Sequence, residues 1–192
     1  MSANHNTGSL RHDHNARGDD LYETPIQATR ALIRTGELPN VIWEPAAGRG
    51  AMVRPLREAG YKVAASDIRD YGVEGARVLD FLSFTQPSPF EAIVTNPPYR
   101  FANEFARKGL ELAPKVILLL RWAYAEGARR SDLIDGHLTR VYLGRERLPM
   151  MHRDGWEGPK IGSGAMPFAW FVFERDKAPA PEFIVRRISW RE

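Results

Sequence analysis

The stretch Val41-Ile42-Trp43-Glu44-Pro45-Ala46-Ala47-Gly48-Arg49-Gly50 decides the fold. Its first three residues are apolar and form a short buried strand, a proline and two close glycines turn the chain, and Met52, Val53, Leu56 and Arg57 continue at helical spacing to Gly60. A strand feeding a helix through a glycine turn is half of a βαβ unit, so parallel strands are expected to follow. Val63-Ala64-Ala65 is the next, ending at Asp67. Ala76-Arg77-Val78-Leu79 ends at Asp80, and Ala92-Ile93-Val94 is stopped by Asn96-Pro97-Pro98-Tyr99, because tandem prolines cannot continue a central strand. A helix fits Phe101 to Leu112, with Phe101, Phe105 and Leu112 on one face, before a fifth strand at Val116 to Leu120.

Upstream, Thr24 is an N-cap candidate and Pro25 suits the first helical position of a helix through Ile26, Ala28, Thr29, Leu32 and Ile33, ending near Gly36. Strands that are nearly continuous in apolar residues and alternate with helices imply an α/β fold, a mostly parallel sheet with helices on both faces. Toward the C-terminus the pattern changes to strands without long helices, at Arg140 to Leu148, Phe168 to Phe173 and Phe183 to Trp190, which predicts a hairpin-like antiparallel part of the sheet. No internal repeat is visible.

The 192 residues fit one domain with its own core. The reading is a disordered tail over residues 1–20, poor in large apolar side chains, and one folded unit over 21–192. His5, His12 and His14 in that tail read as solvent-exposed titrating groups, so no metal is expected. The absence of cysteine excludes disulfides, thiolate metal sites and a cysteine nucleophile, and points to the cytoplasm. The longest apolar run is of strand length, and no membrane span is expected. Net charge is +3, and its distribution is uneven. Residues 1–99 carry 10 basic and 12 acidic side chains, residues 100–160 carry 12 and 8, and residues 161–192 carry 5 and 4. A polyanion would meet the middle third, although a solvated basic face accounts for the same charges.

In a doubly wound sheet, ligands bind outside the carboxyl ends of the strands. Here those ends read Glu44 with the Gly48-x-Gly50 turn, Asp67, Asp80, and Asn96-Pro97-Pro98-Tyr99. Asp67, 17 residues beyond Gly50, is placed to bind ribose hydroxyls. A dinucleotide fingerprint would need glycine where Val53 stands, and a P-loop would need Gly-Lys-Ser/Thr, so a nucleoside ligand without a phosphate tail is favoured. Each acid has an alternative reading as a cap after a strand.

The sequence resembles the class I S-adenosylmethionine-dependent methyltransferases that modify adenine N6, in a small phage- or prophage-like form. Asn96-Pro97-Pro98-Tyr99 looks like that family's catalytic motif, Glu44 to Gly50 like its glycine-rich cofactor motif, and Tyr22-Glu23-Thr24-Pro25 like the preceding cofactor segment. Their order is similar to the gamma arrangement, over about residues 22–120. The resemblance implies a Rossmann-like class I methyltransferase domain that binds S-adenosyl-L-methionine. It places the methionine end of that cofactor near Thr24, Pro25 and the Gly48 turn, the ribose at Asp67, and the adenine edge at Asp80 and the backbone of Phe81, with Tyr22, Glu44, Pro45, Ala46, Gly50, Ile68 and Asn96 as further cofactor-binding residues.

By the same resemblance Asn96 and the Pro97 carbonyl accept hydrogen bonds from the target amine, and Pro98 and Tyr99 complete the catalytic cluster, with Tyr99 stacking on the extruded base. The chemistry suits the motif. An exocyclic amine is a poor nucleophile while its lone pair is delocalised into the ring, and acceptors drawing on both N–H groups favour a more tetrahedral nitrogen. Interleaved aromatic and cationic side chains suit backbone tracking and base stacking, which makes Arg100, Trp122, Arg129, Arg130, Arg153, Trp156 and Lys160 candidate substrate contacts. The alternative is that Trp122 packs on the sheet and that Arg129 and Arg130 are solvated. His152 is not needed as a base. Only about 70 residues follow the fifth strand, which is hardly room for a separate target-recognition domain, so relaxed or short-site specificity is expected. DNA is the expected partner. RNA adenine or a protein glutamine amide would suit the same motif, and an inactive cofactor- or nucleic-acid-binding module is the reading from a different class. Oligomeric state is not legible.

Overall fold

The computed structural model describes residues 23–148 and 166–191. The expected disordered tail, Tyr22, and the candidate contacts Arg153, Trp156 and Lys160 lie outside the described residues. In chain order the elements are α1 (Ile26–Arg34), β1 (Val41–Glu44), α2 (Val53–Glu58), β2 (Lys62–Asp67), β3 (Ala76–Val78), β4 (Ala92–Thr95), α3 (Ala102–Leu112), β5 (Lys115–Arg121), α4 (Ser131–His137), β6 (Leu138–Gly144), β7 (Phe168–Glu174) and β8 (Ile184–Ile188). They build one eight-stranded sheet of order β3-β2-β1-β4-β5-β7-β6-β8. β1 to β5 are parallel neighbours, as their apolar runs predict.

β5 shows why such a sheet needs cover on both sides. Ile117 and Leu119 join the core packed by α1 and α2, while Val116, Leu118 and Leu120 join the one packed by α3 and α4. The expected antiparallel part is present, with β6 and β7 as consecutive antiparallel neighbours. β7 inserts between β5 and β6 and runs against both, whereas β8 is parallel to β6, so β7 alone opposes the rest of the sheet. Burial explains the order. Ala169 to Phe173 are buried on both faces and need the sheet interior, whereas β8 holds Ile184 and Val185 about half exposed and takes the edge. The Trp170 indole N–H donates to the Ala28 carbonyl at 3.0 Å, joining β7 to α1.

Three local expectations are corrected. Phe101 is not in α3. It ends a 3₁₀ turn over Tyr99–Phe101 whose N–H bonds back to the Pro98 carbonyl at 2.8 Å, and its ring is partly exposed. Helix α4 was not expected, since Ser131-Asp132-Leu133-Ile134-Asp135-Gly136-His137 is short and contains glycine; burial of Leu133 and Ile134 holds it. β6 begins at Leu138, two residues earlier than the pattern suggests, and stops at Gly144.

At the edge opposite the strand carboxyl ends, Glu37 accepts hydrogen bonds from Lys115 Nζ, Arg140 Nη2 and the Tyr142 hydroxyl, each at 2.8 Å, and from Arg140 Nε at 2.9 Å. Burial pushes its carboxyl up, but Arg140, Lys115 and Tyr142 more than offset this and bring it down to about 2. The loop after α1 is thereby pinned to β5 and β6.

Candidate active site

The carboxyl ends of β1, β2 and β4 meet the loop after β3 along one edge. The glycine turn after β1 needs left-handed backbone at Gly48 (φ 48°) and Gly50 (φ 79°). It closes through Gly50 N–H to the Ala47 carbonyl at 2.8 Å, and a Cβ at Gly50 would stand 3.2 Å from Val73 Cγ2. Asp67 holds this turn from β2: its Oδ2 accepts the Gly48 N–H at 2.8 Å and its Oδ1 the Arg69 N–H at 3.3 Å. Burial pushes the Asp67 carboxyl above its ordinary range, against those hydrogen bonds. Asp80 caps a 3₁₀ turn over Phe81–Ser83, accepting from Leu82 N–H at 3.0 Å and from Ser83 Oγ at 2.7 Å. The alternative reading as a cap after a strand is therefore met by Asp80, whereas Asp67 braces the glycine turn after β1 and caps no helix. Each carboxylate oxygen has a second lone pair for a ligand. Phe81 is buried among aromatics, 4.9 Å from the Phe105 ring and 5.2 Å from Trp43.

Asn96, immediately after β4, donates from Nδ2 to Thr24 Oγ1 at 3.0 Å, a contact across 72 residues. This corrects the capping expectation. Thr24 is buried and faces Asn96, while Pro25 occupies the N-cap position of α1 and makes no side-chain cap bond. The chain before α1 is thus tied to the loop after β4.

Two cavities adjoin here. The larger, about 1010 Å³ measured out through its open mouth, has polar walls of Asp67, Asp80 and Asn96. Ile68, Phe81 and Phe105 supply apolar surface, and Pro45, Ala46, Pro97, Pro98, Tyr99 and Arg100 complete the expected residues along it. The smaller, about 310 Å³, is lined by Thr24, Glu44, Ala46, Gly48 and Asn96. Ala46 and Asn96 line both. The structure thus gathers most of the described catalytic and cofactor residues expected from sequence along these two adjoining spaces. Pro25 and Gly50 line neither, and nor do the expected substrate contacts Trp122, Arg129 and Arg130.

Residues the sequence reading missed include Leu82, Phe101 and Phe105 in the larger cavity and Glu23, Arg49 and Met52 in the smaller. Leu82 and Glu23 are chain neighbours of expected residues and could have been found on that ground. Phe105 carries only a helical core pattern in the sequence.

Glu44 is the polar group with most at stake. It is 1% exposed, its Oε1 accepts the Ala46 N–H at 3.0 Å, and its Oε2 makes no hydrogen bond among the described residues. Burial raises its carboxyl to about 8, opposed by the nearby Thr95 hydroxyl and the Ala46 N–H, although the Thr95 hydroxyl falls outside hydrogen-bond geometry. In the unfolded chain the same group ionises near 4.5. Between these values the folded state holds the extra proton, so this group makes folding less favourable as pH rises from 4.5 to about 8. Glu44→Gln is expected to remove that slope and to raise stability near pH 8 by about 1–3 kcal/mol. Thermal melts of both proteins across that range test this, and parallel pH profiles would refute it.

On the other side of Asn96 lies an aromatic and cationic patch. The Tyr99 ring is 5.9 Å from the Phe168 ring, tilted by 37°, and Arg121 Cζ lies over Tyr99 at 5.3 Å. Arg100 Cζ stands 4.6 Å over Phe101. Arg129 and Arg100 are exposed. Trp122 and Arg130 are drawn inward: Trp122 packs against the α3-side core, and Arg130 bonds the Tyr124 carbonyl at 2.9 Å and lies 4.4 Å over its ring. The packing alternative weighed for Trp122 is the arrangement found.

No family model and no curated protein matches this sequence. Among solved structures the chain is similar to the "putative RNA methyltransferase PH1948" from Pyrococcus horikoshii, with a TM-score of 0.57 and 14% identity over 80% of this chain and 86% of that one. It is also similar to the 23S rRNA methyltransferase ErmE (0.54, 16%, 84% and 71%). A third match is magnesium protoporphyrin IX methyltransferase from Synechocystis PCC 6803 with bound SAM (0.50, 15%, 77% and 76%). At these identities the likeness establishes the fold, a Rossmann-like methyltransferase fold.

Proposed function

We propose that this chain transfers a methyl group from S-adenosyl-L-methionine to the exocyclic N6 amine of adenine in DNA. The observation that carries the reading is the position of Asn96, on the wall shared by both cavities and followed by Pro97-Pro98-Tyr99. The residues present fit such a cofactor. The smaller cavity offers the buried Glu44 carboxyl, whose Oε2 lacks a partner among the described residues and suits an ammonium group, beside Thr24 and the Gly48 turn. The larger offers the Asp67 and Asp80 carboxylates for hydroxyl and amino donors, with Ile68 and Phe81 as apolar surface for a purine. When bound, the cofactor supplies an electrophilic methyl group on a sulfonium.

The chain's own part is to prepare the nucleophile. The Asn96 side-chain oxygen and the Pro97 carbonyl accept the two N–H groups of the target amine and draw its lone pair out of the ring. The Pro98 carbonyl accepts the Phe101 N–H, and the second acceptor role is given to Pro97 by the resemblance. Tyr99 offers its ring to a base removed from its stack. No charged general base is required, because a methylated ammonium sheds its proton readily.

RNA adenine is the second reading, favoured by the fold shared with proteins named as RNA methyltransferases. The test is incubation with methyl-labelled cofactor and, separately, duplex DNA, single-stranded DNA, RNA and total protein, followed by nucleoside and amino-acid analysis. N6-methyladenine in DNA is the expected product. Label confined to RNA adenine moves the assignment to the second reading, and label confined to protein glutamine rejects both.

A further inference from the structure

The strand ends divide by charge on either side of β4. Before it they carry Glu44, Asp67 and Asp80, with Arg69 two residues past β2; beyond it come Arg121 at the end of β5 and Arg145 and Arg147 just past β6. β6 runs in the same direction as β5, because each is antiparallel to the β7 strand between them, so these arginines reach the same edge as the site. Two strand spacings, about 10 Å, separate β5 from β6.

The segment after β6 is fixed rather than free. Arg145 N–H donates to the Ile188 carbonyl at 2.8 Å, and the intervening Glu146 is turned toward β8's end, accepting from Ser189 Oγ at 3.0 Å and Trp190 N–H at 3.1 Å. Arg121, Arg145 and Arg147 are all exposed, and among the described residues none of them forms an ion pair. Among the described residues Glu126, also exposed, follows this end of β5 in the chain. The row begins at the site itself, since the Arg121 guanidinium lies over the Tyr99 ring and Arg121 pairs in register with Phe168, the ring next to Tyr99.

We infer that Arg121, Arg145 and Arg147 form a phosphate-binding track that lays a nucleic-acid strand along the β5–β6 end of the sheet and presents one of its bases to Tyr99. This rests on the reading of the substrate as nucleic acid. Guanidinium groups bind phosphate oxygens as planar forks, and an exposed guanidinium without a carboxylate partner gives up no ion pair to do so. A row starting at the aromatic ring couples backbone binding to base placement. The track uses only the fold's own strand ends.

The test measures binding of fluorescent adenine-containing oligonucleotides, single-stranded and duplex, by anisotropy across a salt series. The Arg121→Gln/Arg145→Gln/Arg147→Gln variant is expected to bind about tenfold or more weaker. Its log K against log salt slope should be flatter by about two to three, since each lost phosphate contact removes roughly 0.7 to 0.9. Cofactor binding by calorimetry should stay within about twofold of wild type. The control removes the same charge at the exposed Arg54, Arg77 and Arg175, away from this end of the sheet, and should leave the slope nearly unchanged. Equal loss in the control, or an unchanged slope in the track variant, overturns the inference, as does a wild type that binds neither oligonucleotide. Methyl transfer is scored separately: binding through the track without transfer to adenine keeps the track and rejects the proposed activity.

Discussion

Replacing Asn96 by Ala is expected to lower methyl transfer to adenine by about 10²- to 10³-fold, the loss typical of removing one placed hydrogen-bonding group from a reacting centre. The effect falls on the chemical step because the lost oxygen is asked to act on the amine as it pyramidalises. Cofactor affinity should change by less than about tenfold, since the Asp67, Asp80 and Glu44 carboxyls and the glycine turn remain. The variant also loses the Nδ2 bond to Thr24, so some loosening of the segment before α1 is expected. Single-turnover transfer at saturating cofactor separates the two effects. An Asn96→Ala protein with wild-type turnover would remove the basis for the assigned acceptor.

The largest stability effect is expected from Trp170→Ala. Trp170 is fully buried in the centre of β7, where it pairs with Leu119 of β5 and Tyr142 of β6 and bonds to α1 through Ala28. Truncation leaves a cavity the size of an indole among elements that cannot all move inward, at a cost of about 3–5 kcal/mol. For a chain of this size that is a fall in melting temperature of about 10 °C or more, and a large share of total stability. Trp170→Phe refills most of the space and should cost less than half as much. Urea unfolding of the three proteins measures both, and a loss below about 1 kcal/mol for the alanine variant would contradict this account of the core.

The parallel half of the fold was legible because most of its strands are short, nearly continuous apolar runs, and β1, β2 and β4 end at a glycine turn, an acid or a proline pair. Ala92 to Val94 stopping at Asn96-Pro97, and Val116 to Leu120, are located within a residue or two of their observed bounds. What sequence could not supply was pairing. Nothing in Phe168-Ala169-Trp170-Phe171-Val172-Phe173 states that it lies between β5 and β6, since that order is decided by which strand can be buried on both faces. The same holds at the site. The acids and Asn96 were visible at their strand ends, but the Asn96 bond to Thr24, the burial of Glu44 Oε2 and the capture of Arg130 by Tyr124 arise only when distant segments meet. The arginines after β6 were missed for a related reason, because their place on the active edge follows from the direction of β6.

The late insertion of β7 has a consequence for synthesis. β5 is complete at Arg121, but its partner is not finished until Glu174, so an apolar strand destined for the interior waits with an open edge while about 50 residues are added. At ribosomal rates of about 5–20 residues per second that wait is about 3–10 seconds. Parallel strands β1 to β5 can pair before then, yet the sheet that carries the cavities stays uncapped along β5 until nearly the whole described chain has been made. The hazard is edge-to-edge association of nascent chains, and β7 ends it by covering the full length of β5 in one step.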